Sequence, residues 1–356
     1  MRIATVLGNR PQFVKAAAVT PLLREHHEEL LIHTGQHHDA ELSGVFFEEL
    51  GLPAPDHTLE ISGGSNSSQL GRMVAALEPL LARLAPDLVL LYGDTNSTLA
   101  GALAAADRAI PIAHVEAGMR AFDRSLAEER NRVITDQLSA LLLCSNEAAA
   151  QQLAREQAPG VAVVVGDVMV DVALRTRERA LARRETLERF GVQPGSYALV
   201  TAHRAANVDD PAALEAFVAL LEAVGGPLVM AVHPRTRERL ERHHLDARAA
   251  AAATLTPPLS YLDFAALLCH AGAVLTDSGG VQKEAYLAGV RCVTLRESTE
   301  WSDTVASGWN TLVGLDGAAA VAALARAAPA EHPPLWGDGH AGEAVLAALE
   351  ARYAAA

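Results

Sequence analysis

Ala273–Ala285 reads AVLTDSGGVQKEA, and the parsing of this stretch decides the fold. The apolar run Ala273-Val274-Leu275-Thr276 has the composition of a parallel strand buried on both faces. It breaks at Asp277-Ser278-Gly279-Gly280, and helix-forming residues resume through Gln282, Lys283, Glu284 and Ala285. A strand that turns through a glycine pair into a helix aims backbone N–H groups and the positive helix end at one point. An anion, most often a phosphate, is held at such a point. The two glycines let a ligand approach the backbone without meeting a Cβ. Glu284, expected in about the first turn of the helix, offers acceptor oxygens to a pair of sugar hydroxyls. An ordinary strand-to-helix turn with Ser278 as N-cap accounts for the same residues. The other strand ends have to decide between the two.

The chain of 356 residues is long enough for two domains, each with its own core. Half of its residues are apolar but only 4% are aromatic, and alanine and leucine dominate, as in α/β proteins tilted towards helix. A formal net charge of -14 argues against a surface that coats nucleic acid or binds anionic membranes, so any nucleotide needs a local basic pocket. Cys144, Cys269 and Cys292 are far apart, lack metal-ligand spacing and read as buried free thiols in a reducing compartment. The first residues, MRIATVLGNRP, carry an apolar run too short for a signal peptide. No stretch approaches the ~20 apolar residues of a membrane span. A cytoplasmic protein is expected.

Strand and helix patterns alternate along the chain. Arg2–Leu7, Leu30–Thr34, Leu88–Tyr92, Ile112–Val115, Leu141–Cys144 and Val161–Val165 read as buried strands, with helices such as Phe13–His26 and Gln69–Ala85 between them. A second series follows: Ala198–Thr201, Leu228–Val232, Ala253–Thr256, Ala273–Thr276, Cys292–Leu295 and Thr311–Val313. This alternation means parallel sheets covered on both faces. Two sheets of about six strands are more reasonable than one of twelve. The boundary falls near Gly166–Asp171, and the Arg/Glu-rich segment Val172–Phe190 reads as a solvated helix opening the second domain.

In parallel sheets, ligands sit beyond the carboxyl ends of the strands. Here those ends are crowded with reactive side chains: Gly8-Asn9-Arg10-Pro11-Gln12 with Lys15 one turn on, Thr34-Gly35-Gln36-His37, Gly93-Asp94-Thr95-Asn96, and His114-Val115-Glu116-Ala117-Gly118. The second series adds Thr201-Ala202-His203-Arg204, Val232-His233-Pro234, the Asp277–Gly280 turn and Arg296-Glu297. So many charged ends point to an active site fed by two facing Rossmann-like halves. The turn after the first strand excludes a nicotinamide dehydrogenase, because Gly8-Asn9-Arg10-Pro11 supplies a cation where G-x-G-x-x-G is required. No P-loop and no zinc spacing occur. Strand alternation puts His114 and Glu116 on one sheet face. His114 is open to reading as a satisfied core histidine. Glu116 is harder to dismiss, since a carboxylate ending a buried strand is costly unless paired or functional. In Glu128-Glu129-Arg130-Asn131-Arg132, a salt-bridged helix start explains Glu129, Arg130 and Arg132 equally well.

Taken together, the four strand ends of the first half, the third extended to Gly93–Thr98 and the fourth to His114–Arg120, resemble the non-hydrolysing UDP-N-acetylglucosamine 2-epimerase family. So do Glu128–Arg132, His203-Arg204, His233-Pro234, Leu259-Ser260-Tyr261, Asp277–Glu284, Arg296-Glu297-Ser298-Thr299-Glu300-Trp301, and Trp336-Gly337-Asp338-Gly339 with its final helix. The resemblance runs in order along nearly the whole chain. It implies an α/β fold of GT-B type, with two Rossmann-like doubly wound domains and the ligand cleft between them. The implied domains are an N-terminal one (1–168), a UDP-binding one (169–335) and a C-terminal helix crossing back to the first (336–356). It further implies a homodimer, no metal, no cofactor, and inversion of C2 of a UDP-sugar by anti elimination of UDP and re-addition to the glycal. That chemistry needs a neutralised diphosphate leaving group and acids and bases on both sugar faces. Carried over by position, the acid–base residues are Asp94, Glu116, Glu128 and His203. Arg10, Lys15, His233, Phe264, Ser278, Gly279, Gly280, Glu284 and Arg296 would hold substrate and UDP.

The departures bear on the sugar. Gln12, Ala127 and Ala206 stand where the family usually has Glu, Pro and Glu, and Ser302-Asp303 where it has Pro-Glu. A hydroxyl in place of the acetamido group is therefore an alternative, with UDP-glucose and UDP-mannose as the pair. Gln36, His37, Arg72 and His233 could belong to a second, activating substrate site. A GT-B glycosyltransferase and a nucleotide-sugar sensor are the other readings, and the Asp94/Glu116/Glu128 set argues against both.

Overall fold

Apolar runs alternate with helices throughout the computed structural model, which describes residues 1–36 and 47–353. The chain divides into two compact units, Met1–Val172 with Trp336–Ala356, and Ala173–Leu335. The first unit holds β1 (Arg2–Leu7), β2 (Glu28–His33), β3 (His57–Thr58), β4 (Leu88–Tyr92), β5 (Ile112–Ala117), β6 (Leu141–Cys144) and β7 (Val161–Val164). They form one sheet in the order β3-β2-β1-β4-β5-β6-β7. The second holds β8 (Ala198–Thr201), β9 (Leu228–Ala231), β10 (Thr254–Thr256), β11 (Ala273–Thr276), β12 (Cys292–Thr294) and β13 (Asn310–Leu312). Their order is β10-β9-β8-β11-β12-β13. All strand pairings among the described residues are parallel.

The stretch quoted at the outset is therefore β11 and the start of the helix Gly279–Ala288. It lies where the winding of the second sheet reverses, between β8 and β11; β1 and β4 mark the same reversal in the first. A doubly wound sheet opens a crevice beyond its strand ends at that point. Two-faced burial of the strands follows from helices on both sides. In the second unit Val200, Met230 and Leu275 face Phe217 and Leu221, while Leu199, Val229 and Val274 face Leu267 and Tyr197. In the first, Ala4, Val6, Ile32, Val89 and Leu91 pack against Met73, Leu77 and Leu81.

Two details differ from the sequence reading. The first sheet has a seventh strand, β3, whose two residues are too few to show as an apolar run. The Val172–Phe190 segment is two helices, Val168–Ala182 and Arg184–Phe190, because Arg183 takes a non-helical backbone (ψ 65°) between them. The last helix, Ala341–Tyr353, packs on Arg10–His26 within the first unit. Its leading N–H groups, on Ala341 and Gly342, donate to the Asp171 carboxylate at 3.1 and 2.7 Å, so a side chain from Val168–Ala182 caps it. No helix of the described residues is long and apolar enough to cross a membrane.

Candidate active site

In the first unit the charged strand ends converge on Gly93, the residue that follows β4. Glu116, at the end of β5, is paired with the Lys15 ammonium from the helix Arg10–His26, and both side chains are nearly buried. A Cβ on Gly93 would stand 2.8 Å from that ammonium and 3.4 Å from the Glu116 carboxylate, so the absence of a side chain admits the pair. The strand bulges at Glu116. Its register against β6 shifts between Val115 and Ala117, and Glu116 has a φ of 71°. A left-handed glutamate costs ~1–2 kcal/mol, and the bulge re-aims its side chain. Asp94, half-buried beside Gly93, receives Arg132 Nε at 2.9 Å and Nη2 at 2.5 Å, while Asn131 Nδ2 donates to the Asp94 carbonyl at 2.9 Å. Each carboxylate thus has its own cation.

Behind this cluster runs a buried chain of charge. His114 is fully buried on β5, with Nδ1 2.7 Å from Asp136 Oδ1 and Nε2 2.7 Å from the Gly93 carbonyl. Arg120 reaches Asp136 Oδ2 at 2.8 Å and Glu156 at 2.5 Å. Burial works to raise the Asp136 carboxyl, but the hydrogen bonds and charges of His114 and Arg120 outweigh it and hold the group below the usual carboxylate range. His114 and Glu116 do not share a simple sheet face, as strand alternation had suggested, because the bulge breaks the period of two between them.

In the second unit the β11 end is organised by Asp277, whose side chain is fully buried. Its Oδ2 accepts from His203 N at 3.0 Å, Arg204 N at 2.9 Å and Asn207 Nδ2 at 3.1 Å. Asp277 Oδ1 lies 3.4 Å from His203 Nδ1. Burial, helped by the charges of Arg204 and Arg235, lowers the His203 pKa below that of a free histidine against the opposing pull of Asp277. The His233 ring stacks on His203 at 5.4 Å, and its Nδ1 accepts from Arg235 N at 3.2 Å as the cap of the helix Pro234–Arg242. Ser278 caps Gly279–Ala288, accepting from Val281 N at 3.5 Å. The Glu300 carboxylate, 2.9 Å from Arg296 Nη1, sits against the Cα of Gly279. A carboxylate already lies at this helix start, as the positive helix end favours.

Glu284 is the sixth residue of that helix and so stands in its second turn, beyond the capped start where it had been expected. Burial pushes its carboxyl up to about 7, with the Lys283 charge opposing. Glu284 shares a narrow cleft with Phe264, Tyr261, Thr176 and Leu287. An open cleft around Arg2, Arg24, His26 and Asp87 lies at the amino ends of the first unit's strands and holds none of the candidate residues.

Residues 22–350 match the family described as UDP-N-acetylglucosamine 2-epimerase. The chain belongs to that family. A UDP-N-acetylglucosamine 2-epimerase homolog of Methanococcus maripaludis is 45% identical, over 88% of this chain and 89% of its own. The UDP-2,3-diacetamido-2,3-dideoxy-D-glucuronate 2-epimerase of Pseudomonas aeruginosa is 44% identical, over 88% of each. The crystal structure of the Methanocaldococcus jannaschii UDP-GlcNAc 2-epimerase in complex with UDP-GlcNAc and UDP superposes with a TM-score of 0.89 at 36% identity, covering 99% of this chain and 100% of that one. This chain, like its family, is an isomerase with two doubly wound domains of GT-B type.

Within the epimerase frame, the structure brings Lys15, Asp94 and Glu116 together in the first unit. His203, His233, Ser278 and Gly279 cluster in the second. Glu128 is exposed at the start of the helix Ala127–Leu138, whereas its neighbour Glu129 is buried and accepts from Ala121 N and Phe122 N at 2.8 and 3.0 Å. Arg10 is half-buried at the first turn of its helix, and Gly280 is exposed. His37 lies outside the described residues. Sequence reasoning missed Gln12, which is buried and ties three elements: its Oε1 accepts from Gly8 N at 2.8 Å, and its Nε2 donates to Tyr92 O and Thr98 Oγ1, both at 2.9 Å. The signal was present, since Asn9 with Gln12 three residues on has the spacing of a capping box. Asp136 carried no comparable local signal, and the reading of Arg132 as part of a salt-bridged helix start gave none for its pairing with Asp94. Gln36 accepts from Ser97 N at 3.0 Å and from Ser97 Oγ at 2.6 Å.

Proposed function

We propose that the protein interconverts UDP-GlcNAc and UDP-ManNAc by anti elimination of UDP and re-addition to the bound glycal. The observation that carries this reading is the Lys15–Glu116 pair beside Gly93 and Asp94, two carboxylates at neighbouring strand ends of the first sheet, each with a cation of its own. The C2 hydrogen of a nucleotide sugar is not next to a carbonyl. It leaves as a proton only while the C1–O bond to UDP breaks, its electron pair forming the C1=C2 double bond. Re-addition restores the C1–O bond and delivers a proton to C2 from the opposite face. Glu116 and Asp94 are the proton handlers at C2, with His203 and Glu128 as further acid–base groups. Arg10 and the helix start at Ser278–Gly280 take the diphosphate, Arg296 adds charge, and Phe264 with Glu284 takes the nucleoside. The same proposal includes a homodimer acting in the cytoplasm.

A second sugar is favoured by one observation, the 44% identity to a UDP-2,3-diacetamido-2,3-dideoxy-D-glucuronate 2-epimerase. Both substrates are 2-acetamido sugars on UDP and demand the same chemistry at C2. Incubation with each in D2O, followed by proton NMR, tests the proposal. A manno-configured product must carry deuterium at C2, because carboxylic acid donors exchange with solvent far faster than turnover. A product with full protium at C2 refutes elimination, and no epimer from either sugar refutes the substrate assignment.

A further inference from the structure

We infer that His114 is a positioning residue, held as an imidazolium between Asp136 and the Gly93 carbonyl, and that it sets where Gly93, Asp94 and Glu116 stand. The role of the two carboxylates rests on the function proposed above; the protonation of the ring does not. A fully buried ring cannot touch substrate, so His114 is not one of the acid–base groups at C2. Its two hydrogen bonds, both 2.7 Å, fix its state. The Gly93 carbonyl can only accept, so Nε2 carries a hydrogen. Asp136 also accepts from Gly118 N at 3.2 Å and pairs with Arg120 at 2.8 Å, so its carboxylate is ionised and Nδ1 carries a hydrogen too. A neutral ring would set a lone pair against one of these oxygens.

The consequence lies in Gly93. Its N–H donates to Val115 O at 3.0 Å and its carbonyl accepts from His114, so both ends of this residue are fastened to β5. Its Cα faces Lys15 and Glu116, and Asp94 is the next residue. One ring on β5 therefore fixes the exit of β4, on which the spacing of the two carboxylates depends. His114, Asp136, Arg120 and Glu156 sum to zero charge. Such a buried ionic chain is commonly matched or exceeded in stability by apolar residues of similar volume. What it supplies that leucine would not is a donor of fixed direction at the Gly93 carbonyl, strengthened by its charge.

The test uses the full chain with 15N-labelled histidine rings, the His114 signals being identified by their loss in His114→Gln. Both ring nitrogens should show N–H correlations and imidazolium shifts from about pH 6 to pH 8, with and without UDP. A bare ring nitrogen in that range overturns the assignment. In His114→Gln, kcat should fall at least about tenfold while the Kd for UDP stays within about threefold, and the Gly93 and Asp94 amide signals should move. Turnover within about twofold of wild type, or unmoved Gly93 and Asp94 amides, overturns the positioning role. If the glutamine variant does not fold, the wild-type ring spectrum, assigned through Asp136→Asn, still decides the protonation. If the wild-type protein epimerises neither sugar, the proposed function fails, while the ring spectrum and amide shifts still judge this inference.

Discussion

Replacing Gly93 with alanine should separate backbone strain from damage to the proton-handling pair. Gly93 has a φ of 63°, where an L side chain costs ~1–2 kcal/mol. The same penalty applies at Gly51, with a φ of 68°, but there the added methyl meets nothing within 4 Å. At Gly93 it meets the Lys15 ammonium at 2.8 Å. The ammonium is the far end of a flexible chain, so it retreats by several tenths of an ångström and loosens its pair with Glu116. The two side chains are 10% and 14% exposed, so the loss is less than that of breaking a fully buried pair. We assign it about 1–2 kcal/mol, well under the ~3–5 kcal/mol of complete removal. Gly93→Ala should therefore cost about 2–4 kcal/mol and Gly51→Ala about 1–2 kcal/mol, with Tm falling by roughly 2–4 °C per kcal/mol for a domain of this size. Turnover should divide them more sharply, because misplacement of a reacting group by about 1 Å costs ~10²-fold. Thermal unfolding, calorimetric UDP titration and NMR-monitored epimerisation measure the three quantities. Equal loss of stability in both variants, with wild-type turnover in Gly93→Ala, would refute the claim that Gly93 shapes the pair.

Glu116→Gln should bind UDP nearly as well as wild type yet lose turnover by ~10² or more, a loss expected when an acid–base group is removed; retention of most turnover takes Glu116 out of the chemistry. Arg10→Ala and Ser278→Ala should each weaken UDP binding in calorimetry, with the second also costing about 1 kcal/mol of helix-cap stability. Unchanged affinity in either would count against their role as phosphate groups. Glu284 gives a pH signature of defined sign. Its carboxyl is raised from 4.5 to about 7 in the folded protein, so the folded state holds the extra proton between these values. The stability this contributes is fully present below about pH 4.5 and is lost as pH rises through 7. The Tm of Glu284→Gln, measured against wild type, should accordingly gain between pH 5 and pH 8, and a constant difference would contradict the buried carboxyl.

Much of this protein is written locally. The apolar runs of β1, β4, β8 and β11 are visible because strands buried on both faces carry few polar residues, and those they carry, such as Thr5, Thr201 and Thr276, are hydrogen-bonded inside. The turns at Gly8–Pro11 and Asp277–Gly280 are visible because glycine and small polar residues interrupt an apolar run just before a helix start. Those turns, with the His114–Arg120 run, were enough to indicate the family and the set of charged strand ends. The partners of those charges were not legible. Lys15 reads as a phosphate cation until the fold sets it on Glu116, 101 residues away in sequence. Asp94 reads as unpaired until Arg132 closes on it from 38 residues away. His114 is open to reading as a core histidine, but only the fold shows which groups, Asp136 and the Gly93 carbonyl, meet its two ring nitrogens. Local composition sets which segments are strands and helices, because propensity and burial act over a few residues. Which side chain meets which depends on strand order and on a one-residue bulge at Glu116, and these exist only once the sheet has closed.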